Sequence, residues 1–511
     1  MSDDLFPADD RLPRLSLDPR PHEQDFEESA KRKSPGEDMS DRRYIRGPGW
    51  LAWLVVIALA LFIIVNQVIM NFMMEPTGLT PGDFLQPVTD GKQALGLREL
   101  SQRYKVSEFE EQIPAFAERV NGGPIEQRLC YTILANELEG PDAAQKAVDE
   151  LERLTKRKGV ELDEDQQRLK SILSQIYGDL ARGRWPPNIS QDDRQFLGEQ
   201  LPWYGELAMQ PDTGQLNESR DQLLERTELT TLLSLFMVLA ILAGLVLGLV
   251  ALVIFLIQFF RGALRSRVTD DSMYGPVYIE TFAIWFVLFL GLQLLAAANP
   301  FTRGTAFIAL GMLLPLSALV WPVLRGVPVG HMLQDIGLQL KNPFVEVAAG
   351  IAAWFAMIPV VLLALLVSLV LLFIQGMLTV PGEFDPGGVG HPIANEAFSG
   401  DMLPVLIKLL FIASVLAPLT EEIMFRGVLY RHLRDSSRHM ARWGSVGFAT
   451  LLSSILFAAI HPQGIIGIPV LTTLAIGFCL AREWRGSLVA PITMHALNNG
   501  VTMLFLVPAI V

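Results

Sequence analysis

From residue 229 to residue 508 the sequence passes through one apolar run after another, each about 20 residues long, the length that spans a bilayer core as helix. Lipid offers no hydrogen-bond partner to a bare peptide group, so segments at that depth must satisfy their backbones internally. The runs fall near 229–259, 277–298, 304–324, 346–375, 403–430, 445–461, 464–481 and 487–508, and an earlier one covers 49–74. The sequence therefore reads as an all-α polytopic membrane protein of about nine transmembrane helices. Composition alone hides this: 50% of residues are hydrophobic and 19% charged, but the charges crowd into the first half. The net charge of -13 belongs to the extramembrane parts, and no basic, aromatic cluster points to nucleic acid.

Residues 1–48 are rich in Pro, Asp, Glu, Lys, Arg and Ser, too poor in large apolar side chains to offset chain entropy, and read as a disordered tail. The tail is too long and too acidic for the front of a signal peptide, so 49–74 is expected to be a retained first helix. Lys31, Arg32, Lys33, Arg42, Arg43 and Arg46 before it place the amino terminus in the cytoplasm, with the protein multi-pass in the plasma (inner) membrane. Alternation then puts Arg261, Arg265 and Arg267, Arg325 and Lys341, Arg431 to Arg442, and Arg482 and Arg485 on the same side. The loop 376–402, with Glu383, Asp385, Glu396 and Asp401 and no Lys or Arg, falls outside.

The polar stretch 75–227 is expected to be an inserted extracytoplasmic helical-hairpin domain. Leu169, Ile172, Leu173, Ile176 and Leu180 recur at helical spacing, as do Ile125, Leu129, Ile133 and Leu134, and Ala144, Val148 and Leu151. No clean repeat of about 34 residues emerges, so the stretch is a candidate surface for a protein partner with no repeat family attached. The transmembrane helices in 228–329 carry no motif of their own. Cys130 and Cys479 lie in unlike settings, and two cysteines make no metal cluster.

Charge inside the apolar half is where chemistry is to be sought, because an ionisable group at bilayer depth costs about 2.5–3.5 kcal/mol unless paired, solvated or used. In "LAPLTEEIMFRGVLYRHLR", Glu422 and Arg426 stand one turn apart and face each other. Glu421 lies about 100° round the helix with no local partner. Arg426 alone could mark a helix end reaching water, but Glu421 lies roughly 15 Å of helix from the next basic cluster. Pro418 can open the helix and free a carbonyl for another contact. Downstream, Phe457 and His461 are one turn apart before Pro462, and His495 and Asn499 are one turn apart with Asn498 beside them. His432 and His439 read as interfacial and solvated, and His22, His331 and His391 as tail or loop residues. For His461 to reach the depth of the others, the segment 431–443 must lie along or dip into the interface.

A carboxylate, two imidazoles and an amide can activate water and stabilise the oxyanion of an attacked amide. The same Glu421, His461 and His495 could instead hold Zn²⁺, since two histidines and a carboxylate with one open position form a catalytic zinc site. The residues leave both chemistries open, while HExxH and GxSxG patterns are absent.

The three motifs, Glu421-Glu422-x-x-x-Arg426, Phe457-x-x-x-His461 and His495-x-x-x-Asn499, in this order, resemble those of the CPBP family of intramembrane proteases, which includes the CAAX prenyl endopeptidases. The resemblance covers roughly residues 330–511 and implies an intramembrane protease core there. It implies an endopeptidase hydrolysing a peptide bond near the membrane, with a membrane-associated peptide or protein as substrate. By resemblance Glu421 with His461 would activate water, His495 with Asn499 would form the oxyanion site, and Glu422 with Arg426 would brace the helix beside Phe457. The family's glutamate-dependent members favour a site without metal or other cofactor, with zinc as the alternative. The competing readings are a non-catalytic membrane scaffold or immunity protein of the same fold, and a proton-coupled transporter, for which internal repeats would be expected and are not seen.

Overall fold

The computed structural model describes residues 49–73, 85–268, 274–298, 305–339, 342–378 and 402–504; the tail 1–48 and most of the loop 376–402 lie outside them. The described residues form helices and no strands. In chain order these are α1 (Gly49–Met73), α2 (Leu85–Tyr104), α3 (Ser107–Glu110), α4 (Ile113–Gly122), α5 (Ile125–Glu139), α6 (Pro141–Lys158), α7 (Glu164–Ala181), α8 (Gln191–Gln200) and α9 (Pro202–Ala208). They continue as α10 (Glu218–Phe260), α11 (Gly275–Ala298), α12 (Thr305–Leu313), a 3₁₀ segment (Leu314–Leu319), α13 (Val320–Leu324), α14 (Val329–Ile336) and α15 (Pro343–Leu378). Then follow α16 (Met402–Phe411), a π segment (Ile412–Leu416), α17 (Ala417–Glu422), a second π segment (Ile423–Leu429), α18 (Tyr430–Ser436), α19 (Arg442–Ala459), α20 (Gly464–Arg485) and α21 (Val489–Leu504).

Seven helices among the described residues are long and apolar enough to cross a membrane, against the nine expected. The two remaining runs differ for a local reason. The run 403–430 is divided by π segments into short pieces, and α21 has 16 described residues.

The helices between 85 and 227 bury their predicted faces in an apolar core of their own: Leu129, Ile133, Leu134, Ala144, Leu151, Leu169, Ile172, Leu173 and Ile176 all belong to it. Local signals start these helices. Asp163 and Gln166 form a reciprocal capping box on α7, and Pro141 occupies the first position of α6. The boundary expected at 227 falls inside α10, whose 43 residues run unbroken for about 65 Å. Its first turns are tied to this core by Arg220, which pairs with buried Glu137 of α5.

Further along, α10 packs on α15, and α15 packs on α20 and α21. These contacts are close because glycine permits them. A Cβ at Gly248 of α10 would stand 2.6 Å from the Phe355 carbonyl, and one at Gly350 of α15 would stand 2.7 Å from the Ala490 carbonyl. Helices α1, α11 and α19 close the other side around Phe282, Trp285, Phe425 and Phe457.

The basic residues expected to face water behave differently. Arg431, Arg434 and Arg482 are buried, because α20 brings Glu483 to Arg434 at 3.1 Å and α14 brings Asp335 to Arg431 at 3.4 Å. His432 is buried as well and accepts a hydrogen bond from the Trp53 indole at 3.2 Å, which corrects its reading as a solvated interfacial group. His439 is exposed, as expected.

Candidate active site

Pro418 and the π register around it set the geometry of the first motif. In the π segment the Ala417 N–H reaches back to the Ile412 carbonyl rather than to that of Ala413. The next donor in that register would be residue 418, and proline has no N–H. The Ala413 carbonyl, left without a helical partner, accepts instead from Asn499 Nδ2 at 2.9 Å. A backbone defect on one helix thus fixes the side chain of another. π turns of this kind recur at functional sites.

Glu422 and Arg426 are both fully buried and hydrogen bonded at 2.9 Å. The guanidinium lies 4.5 Å from the Phe457 ring centroid and 5.1 Å from that of Phe478, so cation–π contact joins the ion pair in replacing lost hydration. The end-of-helix reading of Arg426 is thereby excluded: it does not reach water. Glu422 also does something the sequence did not reveal. Its Oε1 lies 2.8 Å from His495 Nδ1, so one carboxylate holds both the arginine and the histidine. The two residues are 73 apart in the chain, and no local spacing signals that contact.

Both imidazoles are fixed in the same sense. His461 Nδ1 lies 2.5 Å from the Phe457 carbonyl, which can only accept, so Nδ1 carries the proton and the neutral ring presents a bare Nε2. His495 donates its Nδ1 proton to ionised Glu422 and likewise presents Nε2. Phe457 packs against His461 with the rings tilted by 44° and their centroids 4.2 Å apart, and Phe478 stacks on His495 at 4.9 Å.

The two Nε2 atoms converge on Glu421. Its Oε2 lies 3.7 Å from His461 Nε2 and 3.8 Å from His495 Nε2, and it has no hydrogen-bond partner among the described residues. These separations are too long for direct hydrogen bonds and suit one small molecule shared among the three groups. Glu421 and His461 retain side-chain exposures of 21% and 19%, against 6% for His495, so the cluster is open on the side of the first two. Of the residues singled out from sequence, Glu421, Glu422, Arg426, Phe457, His461 and His495 are joined by direct contacts, and Asn499 stands one turn beyond His495.

The donor types, two imidazole Nε2 atoms with engaged Nδ1 groups and a carboxylate, are those a zinc ion takes. The spacing is less favourable: among the described residues no group of three His, Cys, Asp or Glu side chains is placed to hold a metal ion.

Residues 403–501 match the family model described as Type II CAAX prenyl endopeptidase Rce1-like. The match to this protease family thus falls on the C-terminal helices of the membrane protein, those that carry the Glu421, His461 and His495 motifs. Over 103 residues the chain is 34% identical to the membrane-embedded CAAX protease MroQ of Staphylococcus aureus (strain USA300), a match covering 20% of this chain and 40% of that protein. Over 117 residues it is 29% identical to an uncharacterized 24.3 kDa protein of Escherichia coli, covering 22% of this chain and 52% of the relative. The chain thus spans about half or less of the curated relatives it matches. No solved structure matches.

Proposed function

We propose that this protein is an intramembrane endopeptidase that cuts a peptide bond near the membrane with water activated by Glu421. The observation that carries the reading is the convergence of Glu421 Oε2 with two imidazole Nε2 atoms whose Nδ1 groups are engaged elsewhere. A water among them donates one proton toward Glu421 and the other toward His461 Nε2. Its oxygen attacks the scissile carbonyl carbon as Glu421 takes the first proton. That proton then passes to the leaving amine as the C–N bond breaks, the second proton of the water moves from the new carboxyl group to His461 Nε2 and on to solvent, and the products are a carboxylate and an amine. Asn499 Nδ2 spends one N–H on the Ala413 carbonyl and has a second for the oxyanion. His495, when protonated at Nε2 with its Nδ1–H still held by Glu422, supplies the other donor.

Glu421, His461, His495 and Asn499 are the proposed catalytic groups, with Glu422, Arg426 and Phe457 holding them. A membrane-associated peptide or protein is the proposed substrate, and the helices of 85–227 the proposed contact for any protein partner. We place the protein in the plasma (inner) membrane with its amino terminus cytoplasmic, from the basic residues before α1.

The test is cleavage by the purified full chain in lipid nanodiscs of a panel of quenched-fluorescence peptides, some with an apolar membrane segment and some with a farnesylated CAAX terminus. Cleavage is expected to persist in excess chelator. Loss with chelator and recovery with zinc would overturn the metal-free mechanism, and absence of cleavage across the panel would count against the peptidase reading.

A further inference from the structure

Gln67 sits on α1, outside the residues matched by the family model, and its neighbours Val65, Val68 and Ile69 are exposed at 53%, 37% and 45%. An amide on a helix face surrounded by lipid-facing side chains is costly unless it finds a partner. Gln67 finds one in the site: its Nε2 donates to the His461 carbonyl at 2.8 Å.

That carbonyl is where the chain leaves helical order. Helix α19 ends at Ala459, Ile460 is its cap, and α20 begins only at Gly464. Pro462 follows directly and has no N–H to offer. His461 is thus held from two sides. Its ring is fixed by the Phe457 carbonyl of its own helix, and its peptide group by Gln67 of α1. The first bond sets how the imidazole is turned, and the second sets where the residue stands. Without the second, the His461 peptide keeps the 3.3 Å bond from its N–H to the Ala458 carbonyl, but its carbonyl end is no longer held and can shift relative to Glu421, 3.7 Å from the ring.

We propose that Gln67 is a positioning residue for His461, so that the first transmembrane helix completes a site whose reacting groups all lie in the matched domain. The inference rests on the peptidase reading and adds to it a contribution from outside that domain. A displacement of about 1 Å at a reacting group can cost a factor of about 100 in rate, and that sets the scale of the effect.

The experiment compares full-length wild type, Gln67→Met, Asn66→Leu and Glu421→Gln in nanodiscs on the peptides described above. Gln67→Met keeps the side-chain length and removes the donor. It is expected to lower kcat roughly 10- to 100-fold with KM within about twofold and the melting temperature close to wild type. Asn66→Leu, on the exposed side of the same helix, is expected to retain wild-type kcat. Should Gln67→Met fail to assemble, Gln67→Asn, shorter by one methylene, is expected to lose rate in the same way. Wild-type kcat in Gln67→Met alongside inactive Glu421→Gln would overturn the positioning role and leave the peptidase standing. So would a defect confined to KM. Wild-type cleavage by Glu421→Gln would show that Glu421 is not the base and would remove, with it, the site that Gln67 is proposed to complete.

Discussion

Glu421→Gln is expected to lower kcat/KM for peptide cleavage by roughly 10²- to 10⁴-fold, the range lost when a positioned general base is removed. The substitution keeps the shape of the side chain and the two neighbouring imidazoles, but the amide cannot take water's proton. Glu421 Oε2 has no hydrogen-bond partner among the described residues and the side chain is 21% exposed, so stability is expected to change little. Activity is to be measured beside the melting temperature in the same nanodiscs. An active Glu421→Gln would show that another group activates the water, whereas a wild type that cleaves nothing would favour the scaffold reading.

Arg426→Met is expected to act in the opposite way, through the fold. The guanidinium and the Glu422 carboxylate are both fully buried at 2.9 Å, and removing one partner leaves the other charged without its counter-ion. Breaking a buried pair of this kind costs about 3–5 kcal/mol. The His495 Nδ1 contact with Glu422 cannot replace the lost positive charge while the imidazole is neutral. The double substitution Glu422→Gln with Arg426→Met removes both charges and is expected to recover much of the loss, since replacing a buried pair outright is often close to neutral. A single Arg426→Met that melts with wild type would show that the pair does not support the bundle.

The parts of this structure that could be read from sequence are those set by local pattern. Apolar length marks the spans, and the three- and four-residue spacing of Leu169, Ile172, Leu173 and Ile176 marks a helix face that is indeed buried. The Glu422–Arg426 contact follows from a spacing of one turn. Tertiary partners could not be read this way. The Glu422–His495 and Gln67–His461 bonds join distant segments, and Glu483 buries an arginine that looks like a water-facing basic residue in its own stretch of chain. Pro418 announced a freed carbonyl, but the π register that makes it the Ala413 carbonyl, and the Asn499 side chain that meets it, are seen only in the fold. The boundary expected at 227 marks a change from polar to apolar composition within one continuous helix, whose continuity no local pattern announced. Convergence of Glu421, His461 and His495 was legible through motif order, and their shared Nε2 geometry only through the fold.

Direct attack by water on the peptide carbonyl is best tested under single-turnover conditions in H₂¹⁸O, with chelator present and acid quenching. Whichever panel peptide is cut is analysed together with the intact protein by mass spectrometry. The expected result is one ¹⁸O in the new carboxylate and no mass added to the protein at any time point. A protein transiently carrying the acyl fragment, or equal cleavage by Glu421→Gln, would contradict it.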